Sequence, residues 1–596
     1  MRAILKKILV IVLAATSVIS LNIVMNQNIS FSNSMLGNNV MIISEFIIMV
    51  YIIRRTMGIK DERLIISSWI LAFIFSVFHN IGTSINMYMS LNGIIYSADT
   101  VMKFIIKLVG EMMLFYSTIV LVYQYINKLV INISYKNQNR FSNKKTFLWS
   151  FIFILICWIP YLLTYYPGLT TGDSMNQIFQ VIGVEKLSGH HPLIHTGLIY
   201  IAINLGKQIL DYNLGVAIYT IVQMIIMASI FSYTIYYMKK INMPIYFRII
   251  ALLFYGIYPI NPLFSLIMWK DIIFAGLMLL FIINTHKFIS NSKENIKKFD
   301  IILYIINIVL LILFRNNGIY VVLLMMPFIF ILKNKNSKKI CSIFIIALIS
   351  YFIINSILYF GVKAEKGQIR EALSIPMQQF ARVLKYHKED LTEQEIKSIY
   401  RFIPNENIDE IYIPTLSDPV KNNFDSKAFS DNKIEFIKLW TRMFVKFPRA
   451  YIESFLCNSY GYWFPEAQNW VANRDVEPNN LGIHQDSKIQ NSNIKKFDSI
   501  IEKRNIPIVS MLFSIGFMFW CILFFMMYCV YRKNYNVILI YIPILILWLT
   551  TLASPVFCEF RYVYSFITCI PLLATTIFED KNKEKRGEKP CGETYQ

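Results

Sequence analysis

Charge is what this sequence has least of. Asp, Glu, Lys and Arg make up 16% of its 596 residues, against about 25% in an ordinary soluble domain. Mean hydropathy is +0.48, which excludes a soluble globular fold. Short alternating apolar segments, the mark of a membrane β-barrel, are missing. So are a CxxC pair, a His/Cys cluster at zinc spacing and an HExxH helix. The eight cysteines (Cys157, Cys341, Cys457, Cys521, Cys529, Cys558, Cys569 and Cys591) are scattered, mostly in apolar stretches where Cys packs as a small hydrophobe. A disulfide framework is not expected, and His190, His191 and His195 form only a weak metal signal. No internal repeat is found, which counts against an inverted-repeat transporter.

What the chain has instead is long apolar blocks. The clearest lie at 8–25, 104–126, 214–238 and 508–531, and a block of about 20 residues spans a bilayer. The expectation is an all-α polytopic membrane protein of about fourteen helices. "MRAILKK" followed by an apolar run imitates a signal peptide, but no small-x-small cleavage site closes it, so it reads as a retained first helix. The net charge of +21 does not point to nucleic acid. The basic residues fall in short clusters between apolar blocks, where the positive-inside rule places them. Arg54/Arg55, Lys136/Arg140, Lys239/Lys240, Lys293, Lys333/Lys335 and the tail Lys581–Lys589 are such clusters. They predict a cell-membrane protein with both termini cytoplasmic, and they leave the loop 164–191, with Lys186 as its one basic residue, on the extracytoplasmic side. The apolar stretch 192–206 breaks the alternation. Half-insertion or surface lying keeps Lys239/Lys240 inside; a full crossing that violates the charge rule is the alternative.

The expected organisation is N-terminal accessory helices (1–146), a transmembrane core (147–360), an extracytoplasmic loop domain (361–505), C-terminal transmembrane helices (506–578) and a cytoplasmic basic tail (579–596). In the loop domain, "TEQEIKSIYRFI" (392–403) reads as a helix with a Thr392/Glu395 capping box. Residues 435–456 read as an amphipathic helix on the outer leaflet. The aromatic cluster 458–470 suits an interfacial belt or a sugar-stacking surface. Lys103, Lys107 and Glu111 share a helix face, with Lys107 and Glu111 paired at i,i+4.

Candidate chemistry gathers at expected outer helix ends. "YYPGLTTGDSMNQI" (165–178) supplies Asp173 and Gln177, followed by His190, His191 and His195. "IMWKDIIF" supplies Lys270 and Asp271, "FRNNGIY" supplies Arg315, Asn316 and Asn317, and "CEFRYVYS" supplies Glu559, Arg561 and Tyr562. Ionisable groups at membrane depth are costly and therefore functional candidates. A carboxylate suits a general base toward a hydroxyl, and arginine suits a phosphate. Each has a bland alternative. Asp173 and Asp271 can serve as helix caps, Lys270 can pair with Asp271, Arg315 can be an interfacial anchor, and Arg561 can pair only with Glu559.

In order and spacing, "PGLTTGD", "HHPLIHTGLIY" and "NPLFSLIMWKD" resemble the GT-C superfamily of integral membrane glycosyltransferases over roughly residues 147–360. The chain also resembles an uncharacterised bacterial family of multi-pass proteins in "GDSMNQ", "HHPLIHT", "WKD" and "IPMQQFARVLKYH". The resemblance implies that Asp173 is the catalytic base, that His191-Pro192 opens the next helix and that Asp271 is the second acid. Ser174 follows Asp173, so the adjacent acid pair of many GT-C members is missing and a bound divalent metal is not favoured; no cofactor is expected. The implied partners are a lipid-linked sugar donor, an envelope glycan, lipid or protein acceptor, and membrane lipid. The alternatives are a transporter or flippase of a lipid-linked envelope precursor, and a non-catalytic scaffold.

Overall fold

The computed structural model describes residues 2–23, 39–132, 143–290, 296–332, 336–365, 367, 369–491, 493–496, 506 and 508–578. The basic tail 579–596 and the clusters at Lys136/Arg140, Lys293 and Lys333/Lys335 lie outside them. Among the described residues every regular element is helical, and β pairing is confined to isolated bridges. Nine described helices are long and apolar enough to cross a membrane, and three shorter apolar ones accompany them. The chain is thus a helical multi-pass membrane protein. The larger expected number counted blocks such as 246–260, 301–314 and 318–332, which form helices of 13, 17 and 15 residues, short against a span of about 20 residues.

Helices α1 (Arg2–Asn22), α2 (Asn39–Thr56), α3 (Glu62–Tyr88) and α4 (Ala98–Asn132) pack as an N-terminal group. Asp61 starts α3 by accepting from the backbone N–H groups of Arg63 and Leu64. The expected Lys107–Glu111 pair forms at 3.7 Å. Glu111 also accepts from Asn80 at 2.6 Å and meets His79 Nδ1 at 2.9 Å, so these buried ions are consumed in tying α3 to α4.

The chain continues through α5 (Asn143–Thr164), the short α6 (Gly172–Val181), α7 (Leu193–Ile209), α8 (Tyr212–Lys240) and α9 (Ile245–Ile257). Next come α10 (Lys270–Ser290), α11 (Lys298–Phe314), α12 (Asn317–Ile331) and α13 (Ser337–Val362). Helix α10 is the axis of this part. From Ile272 to Ile283 it is apolar on every side, and all of these residues but Leu280 are buried, as a helix segment without a polar face must be. Helix α7 packs along α8, with Gly206 against Gly215. Its first turn bonds α6 through Thr196 and Gln177. The α8 start that follows it holds His484 N–H on Asn213, in a segment that also bonds Tyr166 and Leu163 at the end of α5. Lys239/Lys240 fall at the far end of α8.

Residues 369–459 form a body with its own core. Helices α14 (Ser374–His387), α15 (Glu393–Phe402), α16 (Lys433–Lys446) and α17 (Pro448–Ser459) enclose Met377, Phe380, Phe402, Phe436 and Met443. The Thr392/Glu395 capping box is present. The single helix expected over 435–456 is instead α16 and α17, broken at Phe447-Pro448 because Pro lacks the N–H a continuous helix needs. One face of α16 is spent on this core through Phe436, Leu439 and Met443.

The aromatic cluster is neither a belt nor an open sugar platform. Tyr462, Trp463 and Phe464 are buried in the membrane core. Phe464 fills the notch left by Gly82 on α3, where a Cβ would lie 2.2 Å from its ring. Helices α18 (Ile515–Tyr531), α19 (Ile542–Ala553) and α20 (Phe560–Thr575) complete the fold. Helix α18 starts later than the block 508–531 predicts, at the Ser514 cap, which accepts from Phe517 N–H at 3.1 Å.

Candidate functional site

The Pro-Gly turn that closes α5 fixes where the first loop goes. Gly168 has φ 137°, a region side chains avoid, and a Cβ there would stand 2.1 Å from Thr220 Oγ1. Only glycine lets the strand-like residues beyond it lie against α8. Leu169 N–H then donates to Leu266 C=O, and Met268 N–H donates to Leu169 C=O. Trp269 Nε1 donates to Thr171 Oγ1, and Ser174 Oγ donates to Met268 C=O, both at 2.8 Å. The "TTGDS" loop and the "IMWKD" turn are thereby sewn together. Thr171 and Ser174 form the capping box of α6, which leaves Asp173 in the first turn without a capping duty.

Two ion-pair systems meet beside this seam. Arg315, the extended residue between α11 and α12, places Nη1 2.8 Å from Asp271 Oδ1, and its guanidinium lies over the Phe274 and Tyr562 rings. Arg561, in the first turn of α20, donates from Nη1 to Asp173 Oδ2 at 2.8 Å. Its Nε lies 2.5 Å from Glu559 Oε2, its Nη2 donates to the Tyr562 hydroxyl, and its plane covers Trp269. The start of α20 is held by Trp470, whose N–H donates to Cys558 C=O and whose C=O accepts from Phe560 N–H. Lys270 pairs with neither acid by direct contact. Its Nζ lies 3.0 Å from Nδ1 of buried His191.

Asp173, His190, Lys270, Arg315, Asn316, Asn317, Arg561 and Tyr562 line one cavity of about 630 Å³. Its opposite wall comes from the loop domain: Arg370, Glu371, Asp418, Lys421 and Asn422. There Lys421 bridges Glu371 at 2.8 Å and Asp418 at 2.6 Å. Ser417 N–H donates to Val556 C=O and fastens this wall to the loop before α20.

The electrostatics set the protonation states. Burial pushes the Asp173 carboxyl up, but Arg561, Lys270 and His191 outweigh it and hold it well below the usual carboxylate range. Burial and the neighbouring Lys270 lower His191 to about 3, so its ring is neutral and Nδ1 accepts from Lys270. His190 is lowered for the same two reasons. Burial raises Glu559 despite Arg561. Burial alone lowers Lys421, but its bonds to Asp418 and Glu371 reverse that and raise it.

The remaining sequence candidates stand behind the cavity wall. Asp271 is 2% exposed and backs Arg315. Gln177, expected to orient an acceptor or phosphate, is buried; it donates to Thr196 Oγ1 and its Oε1 meets His195 Nδ1. The other nitrogen of His195 meets the Tyr219 hydroxyl at 2.7 Å. Among the described residues no group of three or more His, Cys, Asp or Glu side chains is placed to hold a metal ion. Sequence reading missed Trp269 as the platform for Arg561 and the whole loop-domain wall. The adjacent tryptophan in "WKD" was a usable signal; nothing local marks Lys421.

Residues 183–590 match a family model described as "Family of unknown function (DUF6020)", and the chain belongs to that family. The matched span includes Lys270, Arg315, Arg561 and the loop-domain wall but begins after Asp173. No curated protein and no solved structure matches the chain.

Proposed function

We propose that this member of a family of unknown function is a GT-C-like membrane glycosyltransferase. It moves a sugar from a polyprenyl-phosphate donor to a hydroxyl acceptor at the extracytoplasmic face of the cell membrane. The observation that carries the reading is the convergence of one partly exposed carboxylate, Asp173, with Lys270, Arg315 and Arg561 on a single cavity at one end of the helix bundle.

The donor phosphate sits on Arg315 and Lys270, with Arg561 beside them; guanidinium forks suit phosphate oxygens. The acceptor oxygen attacks the anomeric carbon as the bond from that carbon to the phosphate oxygen breaks. The electron pair leaves with the phosphate, where the arginines offset the growing charge, and Asp173 takes the acceptor proton. Attack opposite the leaving group inverts the anomeric centre. Asp271 positions Arg315 and does not meet substrate. The loop-domain wall closes the acceptor side and excludes water.

A flippase reading asks for a polar path across the bilayer. Helix α10 beyond Asp271 offers Ile272, Ile273, Phe274, Leu277, Phe281 and Ile282, all buried and apolar. The polar positions instead gather at one end, which supports chemistry over transport.

The test compares glycosylated envelope products in cells expressing wild type, Asp173→Asn or Asp61→Asn. Loss of product in Asp173→Asn alone is expected; Asp61 caps α3 and accepts from the Tyr531 hydroxyl at 3.2 Å, does not line the cavity, and Asn can make both contacts. A normal product profile from a well-inserted Asp173→Asn protein refutes the assignment.

A further inference from the structure

The carboxylates that face the cavity arginines differ in how firmly they are held. Asp271 is 2% exposed beside Arg315 and Glu559 is 13% exposed beside Arg561, whereas Asp173 is 38% exposed. Of these three, Asp173 alone lines the cavity. It also has no part in holding its own helix, because Thr171 and Ser174 supply the α6 cap. Arg561 is held from other sides as well: by Glu559, by the Tyr562 hydroxyl and by the Trp269 face. The arginine is therefore fixed, and the aspartate is the partner that can leave.

A phosphate seated on Lys270 and Arg315 arrives beside Arg561 with charge of the same sign as Asp173. Two anions then compete for the guanidinium edge of Arg561 that Glu559 and Tyr562 leave open.

We infer that Asp173 and the donor phosphate exchange on Arg561, so that phosphate binding releases Asp173 into the cavity as a base. This rests on the phosphate-binding reading of the cavity given above. While Arg561 holds it, the Asp173 carboxylate has Oδ2 in a charge-assisted hydrogen bond and is a poor proton acceptor. Once phosphate takes the guanidinium, the carboxylate loses its cation and gains basicity beside the leaving group. Base strength is thus made conditional on donor occupancy, and the donor binds before the acceptor is deprotonated. Glu559 is a positioning residue that keeps Arg561 aimed while its other partner changes.

The distinguishing consequence is that removing the proposed catalytic base tightens phosphate binding. The full-length protein in nanodiscs is titrated with labelled polyprenyl phosphate, with polyprenol and inorganic phosphate as competitors. Asp173→Asn and Asp173→Ala are each expected to lower Kd by about tenfold or more, the scale of one charge-assisted hydrogen bond regained. Arg561→Ala is expected to weaken binding by a similar factor and to abolish the gain in Asp173→Asn/Arg561→Ala. Glu559→Gln is expected to weaken binding while leaving a gain from Asp173→Asn. Inorganic phosphate competing as well as polyprenyl phosphate identifies phosphate alone as the recognised group; competition only by the lipid identifies the headgroup with its chain. Equal or weaker binding by both Asp173 variants, with wild type binding normally, overturns the exchange and leaves the phosphate site standing. No binding of either phosphate by wild type overturns both.

Discussion

The Asp271–Arg315 pair offers the sharpest test of how the cavity floor is built. Asp271 is 2% exposed, Arg315 is 14% exposed, and their closest N–O distance is 2.8 Å. With charge centres about 4 Å apart and an effective dielectric of about 20, their attraction is about 4 kcal/mol. Arg315→Ala leaves a carboxylate buried at the start of the central helix α10 with no cation in contact. The expected loss is about 3–5 kcal/mol, the range for breaking a buried pair from one side. Asp271→Ala is cheaper, about 2 kcal/mol, because Arg315 borders the cavity, can recruit water and keeps two aromatic faces. The double substitution leaves no orphaned charge, so its loss falls short of the sum by about 2–3 kcal/mol. Reversible unfolding of the full-length protein in mixed detergent micelles measures all four corners. Losses that add to within about 0.5 kcal/mol would show that the two residues do not act as a pair.

Other expectations follow from particular contacts. Gly168→Ala forces a Cβ to within 2.1 Å of Thr220 Oγ1 at a φ of 137°; backbone strain of about 1–3 kcal/mol and overpacking of similar size should lower thermal stability and displace Asp173, and pairing it with Thr220→Ala should recover only the packing part. Phe464→Ala empties the notch at Gly82 on α3 and should cost about 3–5 kcal/mol, read by the same unfolding assay. His191, lowered from 6.5 to about 3, binds a proton more readily unfolded than folded between those values. Stability therefore falls as pH drops through that window, and His191→Gln should flatten the dependence there; an unchanged slope would contradict the buried neutral ring. The half-inserted reading of α7 expects Lys186→Cys and Lys240→Cys to label from opposite faces of sealed vesicles with an impermeant thiol reagent. Labelling from the same face would mean that α7 crosses.

What the sequence determined by itself is what is local. Hydropathy carried the membrane class, since a long apolar block has no other stable place. Spacing carried the Thr392/Glu395 box and the Lys107–Glu111 pair, because helix geometry brings i,i+3 and i,i+4 residues together whatever surrounds them. The polar helix-end stretches also named eight of the cavity's eighteen lining residues, all of them on the membrane-helix side.

Only the tertiary structure decided which of those groups meet. Arg561 and Asp173 are 388 positions apart, and no periodicity links them. Local reading offered Lys270 to Asp271 and Asp173 to a helix cap. Packing instead gave Asp271 to Arg315, gave the cap to Thr171 and Ser174, and turned Lys270 to His191. Gln177 went into the wall, and the aromatic run 458–470 went largely into the core rather than to an interface. Lys421 entered the cavity because a separately cored body docks over the membrane helices. Hydropathy and spacing register what each short segment prefers; ion pairs and cavity walls depend on the distances left after all segments have packed.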